Sequence, residues 1–267
     1  MDIQRRNNLR VHSDGPIAMI FAHGFGCDQD MWRYLAPSFE DRFKVVTFDS
    51  VGSGGSDLSA YDRNKYGSLH GYADDLLEIV DQVSRDQVVF VGHSVSAMVG
   101  MLAANRAPER FKAQIMVGPS PSYINDGDYV GGFTRADVDD ILSTMESNYL
   151  GWSSNMAPAI MGAPDQPQLQ AEMADTFCRN DPDIARHFAQ VTFLSDHRAD
   201  VSESITPSLI LQCSDDVIAP LQVGQFMHRH MRNSVLHVID NVGHCPHMSA
   251  ASASFQAMDR FLAHALA

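Results

Sequence analysis

The stretch that most constrains the fold of this chain is residues 88–100, VVFVGHSVSAMVG. The apolar residues 88–91 predict a buried strand, and residues 97–101 predict a buried helix. Between them the segment GHSVS (92–96) must turn the chain sharply. A serine in such a turn, two residues after a glycine, is typical of a nucleophile elbow. Ser94 is therefore the predicted nucleophile, although a serine before a helix can also serve as its N-cap.

Ser96 stands where the usual G-x-S-x-G pattern has its second glycine. The turn needs a small residue there because the helix and the strand approach each other closely, and serine is small enough. The departure weakens the match of the motif but leaves the physical argument for an elbow intact.

Length, charge and cysteine use limit the class of protein. The 267 residues carry 19 Lys and Arg against 33 Asp and Glu, a net charge of −14, which disfavours nucleic acid and anionic membranes as partners. No apolar run reaches the roughly 18 residues of a membrane span, and the polar start lacks a signal-peptide core. The four cysteines are scattered without metal-type spacing. We therefore expect a cytoplasmic protein with reduced thiols.

Apolar runs alternate with helical patterns along much of the chain. Residues 71–83 have apolar positions at helical spacing, and strands are predicted at 17–22, 44–49, 88–91, 115–118, 208–212 and 235–239. This alternation indicates a mostly parallel sheet with helical crossovers, an α/β fold.

The strand–helix rhythm stops in the middle of the chain. Residues 119–206 carry helical patterns at 136–150, 167–178 and 182–194, and about four short helices fit. An all-helical insertion after a central strand is well placed as a cap over the strand ends, where such sheets bind ligands. We expect residues 1–118 and 207–267 to form the core domain and residues 119–206 the cap.

The late strands are followed by a candidate acid and a candidate base. Asp215 and Asp216 both follow the strand at 208–212, and the residues alone do not choose between them. His244 follows Gly243 just past the last strand and is the predicted base. His247 is a rival, but it lacks a preceding glycine and lies deeper toward the final helix. The order Ser, Asp, His matches the triad order of serine hydrolases with this elbow.

A serine hydrolase also needs two backbone amides for the developing oxyanion. The loop His23-Gly24-Phe25-Gly26 follows a central strand, and the amides of Phe25 and Val95 are the predicted donors. Serine chemistry of this kind requires no cofactor. His244 and His247 could pair on a metal, but no acid lies nearby in the sequence, so no metal site is predicted.

Eight stretches of the chain resemble the sequences of one family. The resemblance is specific, because it extends to segments that have no catalytic role. The chain is similar to the RsbQ family, α/β-hydrolases of a bacterial energy-stress pathway, and to the plant karrikin and strigolactone receptors. The resemblance covers nearly the whole chain and rests on HGFGCDQDMW (23–32), VGSGGSDL (51–58), VGHSVSAMVGMLA (91–103), MVGPSPSYIND (116–126), YVGGF (129–133), SDHR (195–198), LQCSDDVIAP (211–220) and GHCPHMS (243–249).

The resemblance implies an α/β-hydrolase fold with a cap of four helices in a V over a closed apolar pocket. It assigns the acid to Asp216 and leaves Asp215 at a variable position. The family's pocket positions correspond to Tyr123, Phe133, Trp152, Met156, Phe193 and Ile218.

Two functions of different classes follow. The first is a serine hydrolase of small apolar esters or lactones, including butenolides, with the triad Ser94, His244 and Asp216. The second is a signalling protein in which the same site binds or slowly turns over a ligand, and the cap contacts a regulatory protein such as a phosphatase with a PAS domain. Hydrolysis of carbon–carbon bonds uses the same triad and stays open. Haloalkane dehalogenases and epoxide hydrolases are disfavoured, because they carry aspartate where this chain has Ser94.

Overall fold

A computed structural model describes residues 2–267 and contains one seven-stranded sheet. The spatial order is β1-β3-β2-β4-β5-β6-β7; β1 pairs antiparallel with β3, and the other neighbours are parallel. The strands are β1 Arg10–Val11, β2 Ala18–Ala22, β3 Lys44–Phe48, β4 Val88–His93, β5 Phe111–Val117, β6 Ser208–Asp215 and β7 Ser234–Val242. The predicted mostly parallel sheet is confirmed, and the short antiparallel edge β1 was not predicted.

Both faces of the sheet are covered, which explains why its central strands are continuously apolar. Met19 and Phe21 of β2 belong to one hydrophobic core, and Ile20 between them belongs to the other. Val89 and Phe90 of β4 divide in the same way. Alternate side chains of a strand point to opposite faces, so each run of large apolar residues supplies two cores at once.

Helices flank the sheet and fill the long middle segment. They are α1 Ile3–Arg6, α2 Leu69–Val83, α3 Val95–Arg106, α4 Arg135–Ser147, α5 Tyr149–Met161, α6 Pro167–Arg179, α7 Pro182–Phe193, α8 Arg198–Val201, α9 Leu221–His230, α10 Pro246–Ser249 and α11 Ala251–Ala265. Short 3-10 helices occur at Gln29–Tyr34, Ala36–Phe39, Leu58–Ala60, Lys65–Gly67 and Pro108–Arg110.

The four helices α4 to α7 lie between β5 and β6, where the strand rhythm was absent. The predicted helix at 136–150 ends earlier than expected, because Asn148 leaves the helical conformation and its side chain accepts a hydrogen bond from the amide of Gly151 (2.9 Å), capping α5. The start of α4 carries a reciprocal cap between Thr134 and Asp137. Side-chain caps therefore set these helix ends.

Within residues 2–267, no helix has both the length and the apolar character needed to cross a membrane.

Candidate active site

Ser94 occupies the sharp turn between β4 and α3. Its backbone has φ 56° and ψ −123°, a conformation that non-glycine residues rarely adopt and that costs of order 1–3 kcal/mol. The Ser94 amide donates to the carbonyl of Val117 on β5 (2.8 Å). A Cβ on Gly92 would lie 2.6 Å from the carbonyl oxygen of Ser96, so only glycine fits two residues before Ser94. Ser96 also has a polar contact, since its hydroxyl donates to the carbonyl of His23.

Three buried side chains form a continuous hydrogen-bonded line. The Ser94 hydroxyl donates to Nε2 of His244 (2.8 Å), and Nδ1 of His244 donates to Oδ2 of Asp216 (2.7 Å). The other carboxylate oxygen of Asp216 accepts from the amides of Ile218 (2.9 Å) and Ala219 (3.0 Å). The predicted triad residues therefore meet with hydrogen-bond geometry suited to proton transfer.

The two neighbouring aspartates have different surroundings. Asp216 is 6% exposed, whereas the side chain of Asp215 faces solvent. The backbone carbonyl of Asp215 accepts from the amide of Gly243 (2.8 Å), and the β6–β7 pairing shifts register between Cys213 and Asp215. This irregularity at the strand end turns the second aspartate inward toward the imidazole.

The loop that carries His244 is attached to helix α5. The His244 amide donates to the carbonyl of Ile160 (2.8 Å), near the C-terminus of α5. Gly243 has φ 110°, and a Cβ there would lie 2.0 Å from the carbonyl oxygen of Met161. A Cβ on Gly118 would lie 2.9 Å from Cε1 of His244. Gly243 therefore lets the loop pack closely on α5, and Gly118 lets the imidazole pack closely on the end of β5.

The loop predicted to supply an oxyanion donor lies against the elbow. A Cβ on Gly24 would lie 2.3 Å from Nδ1 of His93 and 3.3 Å from Cβ of Ser94, so this position tolerates only glycine. Val95 is the first residue of α3, where amides have no intrahelical acceptor. Val95 thus follows Ser94 directly in the chain, and Phe25 belongs to the loop that packs against the elbow.

A small cavity adjoins the three hydrogen-bonded side chains. Its volume is about 30 Å³, room for one or two water molecules. It is lined by Phe25, Cys27, His93, Ser94, Tyr123, Trp152, Ile160, Met173, Phe177, Thr192, Phe193, Ile218 and His244. The lining is mostly apolar and comes from the sheet ends and from helices α5, α6 and α7.

Four of the six predicted pocket residues line this cavity, namely Tyr123, Trp152, Phe193 and Ile218. Phe133 and Met156 are not among the lining residues and are half-buried against the same hydrophobic core. The ring of Phe133 lies 6.4 Å from that of Phe193, one layer further out. The sequence did not indicate Cys27, Ile160, Met173, Phe177 or Thr192, because which faces of the helices meet over Ser94 depends on how the helices pack.

A wider hollow of about 330 Å³ opens to the surface beside this cavity. Cys27 and Met173 line both spaces, so their side chains form part of the wall between them. Burial raises the pKa of the Cys27 thiol, which keeps it protonated and unreactive at neutral pH.

A second buried group of polar side chains lies next to the loop that carries His244. The ligand atoms of His93, Cys245 and His247 all lie within 4.8 Å of one another. Nε2 of His93 donates to the carbonyl of His244 (2.9 Å), and burial raises the pKa of Cys245. A metal could bind here as a thiolate site only if Cys245 lost its proton, which burial disfavours, so the group fits a neutral packing role better.

Acid should destabilise the fold through His247. Burial, with a contribution from the charge of His244, lowers the pKa of His247 to about 3, against about 6.5 in an unfolded chain. Between these values the unfolded chain binds a proton that the folded chain does not. The free energy of unfolding should therefore fall as the pH drops from 6.5 toward 3, by up to about 1.4 kcal/mol per pH unit for this residue.

Urea unfolding at a series of pH values measures that slope. In His247→Phe the slope should be shallower, because the ring that packs 4.5 Å from Trp32 remains but cannot be protonated. His264→Gln, at an exposed position of α11, is the matched control and should leave the slope unchanged. Equal slopes for all three proteins would contradict a neutral, buried His247.

Comparisons with known proteins agree with this geometry. The profile of the alpha/beta hydrolase family matches residues 19–257. This chain belongs to the alpha/beta hydrolase family. The hydrolase is 38% identical over 261 residues to the strigolactone esterase RMS3 of Pisum sativum, covering 97% of this chain and 94% of that protein. It is 34% identical over 266 residues to the Karrikin insensitive 2 receptor CA of Petunia hybrida, covering 99% and 98%.

Among solved structures, the hydrolase superposes on a hydrolase from Oleispira antarctica with a TM-score of 0.95 and 40% identity, covering 98% of this chain and 96% of the other. The predicted α/β-hydrolase fold and the resemblance to the plant karrikin and strigolactone proteins are confirmed. The closer likeness to RsbQ stays a prediction.

Proposed function

We propose that this alpha/beta hydrolase is a serine hydrolase of small apolar esters or lactones. The observation that carries the proposal is the buried hydrogen-bonded line from Ser94 through His244 to Asp216. In this line the serine has a base within reach and the base has an orienting acid, the arrangement that activates a hydroxyl at neutral pH.

In the first half of the reaction Ser94 attacks the ester carbonyl. His244 takes the hydroxyl proton at Nε2 and then gives it to the departing alkoxide, leaving the acyl group on Ser94. In the second half, water attacks the acyl-enzyme while His244 again accepts and returns a proton. Asp216 holds Nδ1 of His244 as a donor and stabilises the imidazolium that forms at each stage.

The oxyanion of each tetrahedral intermediate would accept from the amides of Phe25 and Val95. The close contact of Gly24 with the elbow and the place of Val95 at the start of α3 support this role. Removing one such donor typically costs about 10²–10³-fold in kcat, so backbone amides that need no reorganisation are an effective source of rate.

The substrate class follows from the cavity and from the relatives. Residues 119–206 would act as a cap, and the largely apolar walls beneath it favour an uncharged substrate. The relative in Pisum sativum is named a strigolactone esterase, which supports an ester or a butenolide lactone here. Because the volume of about 30 Å³ is too small for such a molecule, we expect helices α5 to α7 to shift when a substrate binds.

One observation favours a second candidate function, ligand sensing with slow turnover. The amide of His244 donates to the backbone carbonyl of Ile160 on helix α5 of the proposed cap. A ligand that displaces the cap would therefore also move the loop that carries His244. The relative in Petunia hybrida is named a receptor. In this case an occupied cap would present a changed surface to a regulatory protein.

Time courses with short p-nitrophenyl esters and with a butenolide lactone distinguish the two candidates. Sustained turnover at a constant rate supports the hydrolase. A burst of one product per protein, with a mass adduct on Ser94 or His244 and a raised Tm, supports sensing. Hydrolysis that is equal in wild type and Ser94→Ala, or the absence of both hydrolysis and adduct, would contradict the proposed site.

A further inference from the structure

The phenol of Tyr123 is a polar group of the cavity that the triad does not use. The hydroxyl of Tyr123 lies 3.5 Å from the hydroxyl oxygen of Ser94. Tyr123 is 2% exposed, and its ring packs edge-to-face on Phe193 at a centroid distance of 5.1 Å. Within residues 2–267, Ser94 is the single hydrogen-bond partner of this phenol.

The direction of this contact follows from the neighbouring bonds. Ser94 donates its own proton to His244, so a contact from Tyr123 must place the phenol proton on a lone pair of the serine oxygen. Burial raises the pKa of Tyr123 to about 12, and the phenol therefore keeps its proton throughout the neutral range.

The separation of 3.5 Å is long for a hydrogen bond between hydroxyls, whose usual distance is about 2.7–2.8 Å. The contact is thus weak while the serine oxygen is neutral. It should shorten and strengthen when that oxygen carries negative charge, because hydrogen bonds to charged acceptors are shorter and roughly twice as strong. An interaction stronger in the transition state than in the resting state is one that accelerates a reaction.

We propose that Tyr123 is a catalytic hydrogen-bond donor to the oxygen of Ser94 and that it shortens the lifetime of the acyl-enzyme. The proposal rests on the proposed serine hydrolysis. In deacylation, water adds to the acyl carbon with His244 taking one of its protons. The bond between the acyl carbon and the Ser94 oxygen then breaks, and the electron pair stays on that oxygen.

The proton held by His244 then passes to the Ser94 oxygen, which restores the hydroxyl and leaves the carboxylic acid as product. Tyr123 contributes its hydrogen bond while the electron pair develops and transfers no proton itself. The same donor helps attack less, because a hydrogen bond to the serine oxygen also lowers its nucleophilicity. The effect should therefore be largest on deacylation.

Tyr123→Phe removes the hydroxyl and keeps the ring on Phe193. We expect its deacylation rate to fall by about 10–100-fold, near the range for loss of one transition-state donor. Acylation should change by less than about threefold. Stopped-flow with p-nitrophenyl acetate should then show a burst equal to one product per protein, and intact mass spectrometry should show the acyl group accumulating on Ser94.

Tyr129→Phe is the matched control, since its hydroxyl donates to the backbone carbonyl of Ser122 (2.7 Å) and does not reach the cavity. It should behave as wild type in both phases. If Tyr123→Phe gave the wild-type deacylation rate and no larger burst, or if both variants slowed alike, the proposed role of Tyr123 would be wrong.

Circular dichroism and the Tm show whether Tyr123→Phe is folded. A second variant, with 3-fluorotyrosine at position 123, keeps the hydroxyl and tests the role of the phenol independently. Fluorine acidifies the phenol, so this stronger donor should deacylate at least as fast as wild type; slower deacylation would contradict the proposal. Failure of the proposed serine hydrolysis is distinguishable from failure of the Tyr123 proposal, because the wild-type protein itself would then form no acyl adduct on Ser94.

Discussion

Ser94→Ala is expected to lower kcat on short-chain esters by about 10⁴–10⁶-fold. The substitution removes the atom that attacks the carbonyl, while His244, Asp216 and the amides of Phe25 and Val95 stay in place. Residual catalysis of at most about 10³-fold over water should remain from the proposed oxyanion donors and from substrate binding. Initial rates at saturating ester, with mass spectrometry to show that no acyl group is retained, measure this loss.

The strained backbone of Ser94 supplies a control for folding. Alanine at φ 56° carries the same strain as serine, so the Tm of Ser94→Ala should change little. Ser94→Gly should be equally inactive, and its Tm should rise because glycine adopts this conformation without the steric penalty. An active Ser94→Gly, or an inactive Ser94→Ala that is also unfolded, would contradict this account of the elbow.

Asp216→Asn is expected to lower kcat by about 10⁴-fold, as loss of the orienting acid does in other serine triads. An amide in this place can turn its NH₂ toward Nδ1 of His244, which favours the tautomer with its proton on Nε2. Nε2 could then no longer accept the proton of Ser94. Steady-state kinetics on the same esters test this, and KM should change much less than kcat.

Asp215→Asn is the matched substitution next to it. Its side chain faces solvent and makes no contact with His244, so kcat should stay within about twofold of wild type. A large loss in Asp215→Asn together with a small loss in Asp216→Asn would reverse the assignment of the acid.

Much of the fold was predictable because a strand that is buried on both faces is a continuous run of apolar residues. The apolar runs at 17–22 and 44–49 match β2 and β3 closely. The short edge strand β1 was missed, since its two exposed residues, Arg10 and Val11, do not form an apolar run. The break between α4 and α5 was missed because Asn148, a polar residue inside a helical pattern, acts there as a cap.

The site divides in a similar way. Ser94, His244 and the two aspartates follow strand ends, and the carboxyl ends of parallel strands meet at one edge of the sheet, so their proximity was foreseeable. The choice of Asp216 came from the family resemblance, and its physical reason is the register shift before it in β6. The cavity walls were foreseeable only in part, as the positions of Phe133 and Met156 show.

The sequence by itself determined that this chain forms a mostly parallel α/β sheet with a serine in an elbow turn, followed in the chain by an acid and a base in hydrolase order. These features are local, because each depends on residues adjacent in the chain and on the burial of a strand. The tertiary structure alone decided that the cavity beside Ser94 has a volume of only about 30 Å³, that helix α5 holds the His244 loop, and that the Tyr123 hydroxyl faces Ser94. Those features depend on how distant segments pack, which no short stretch of sequence encodes.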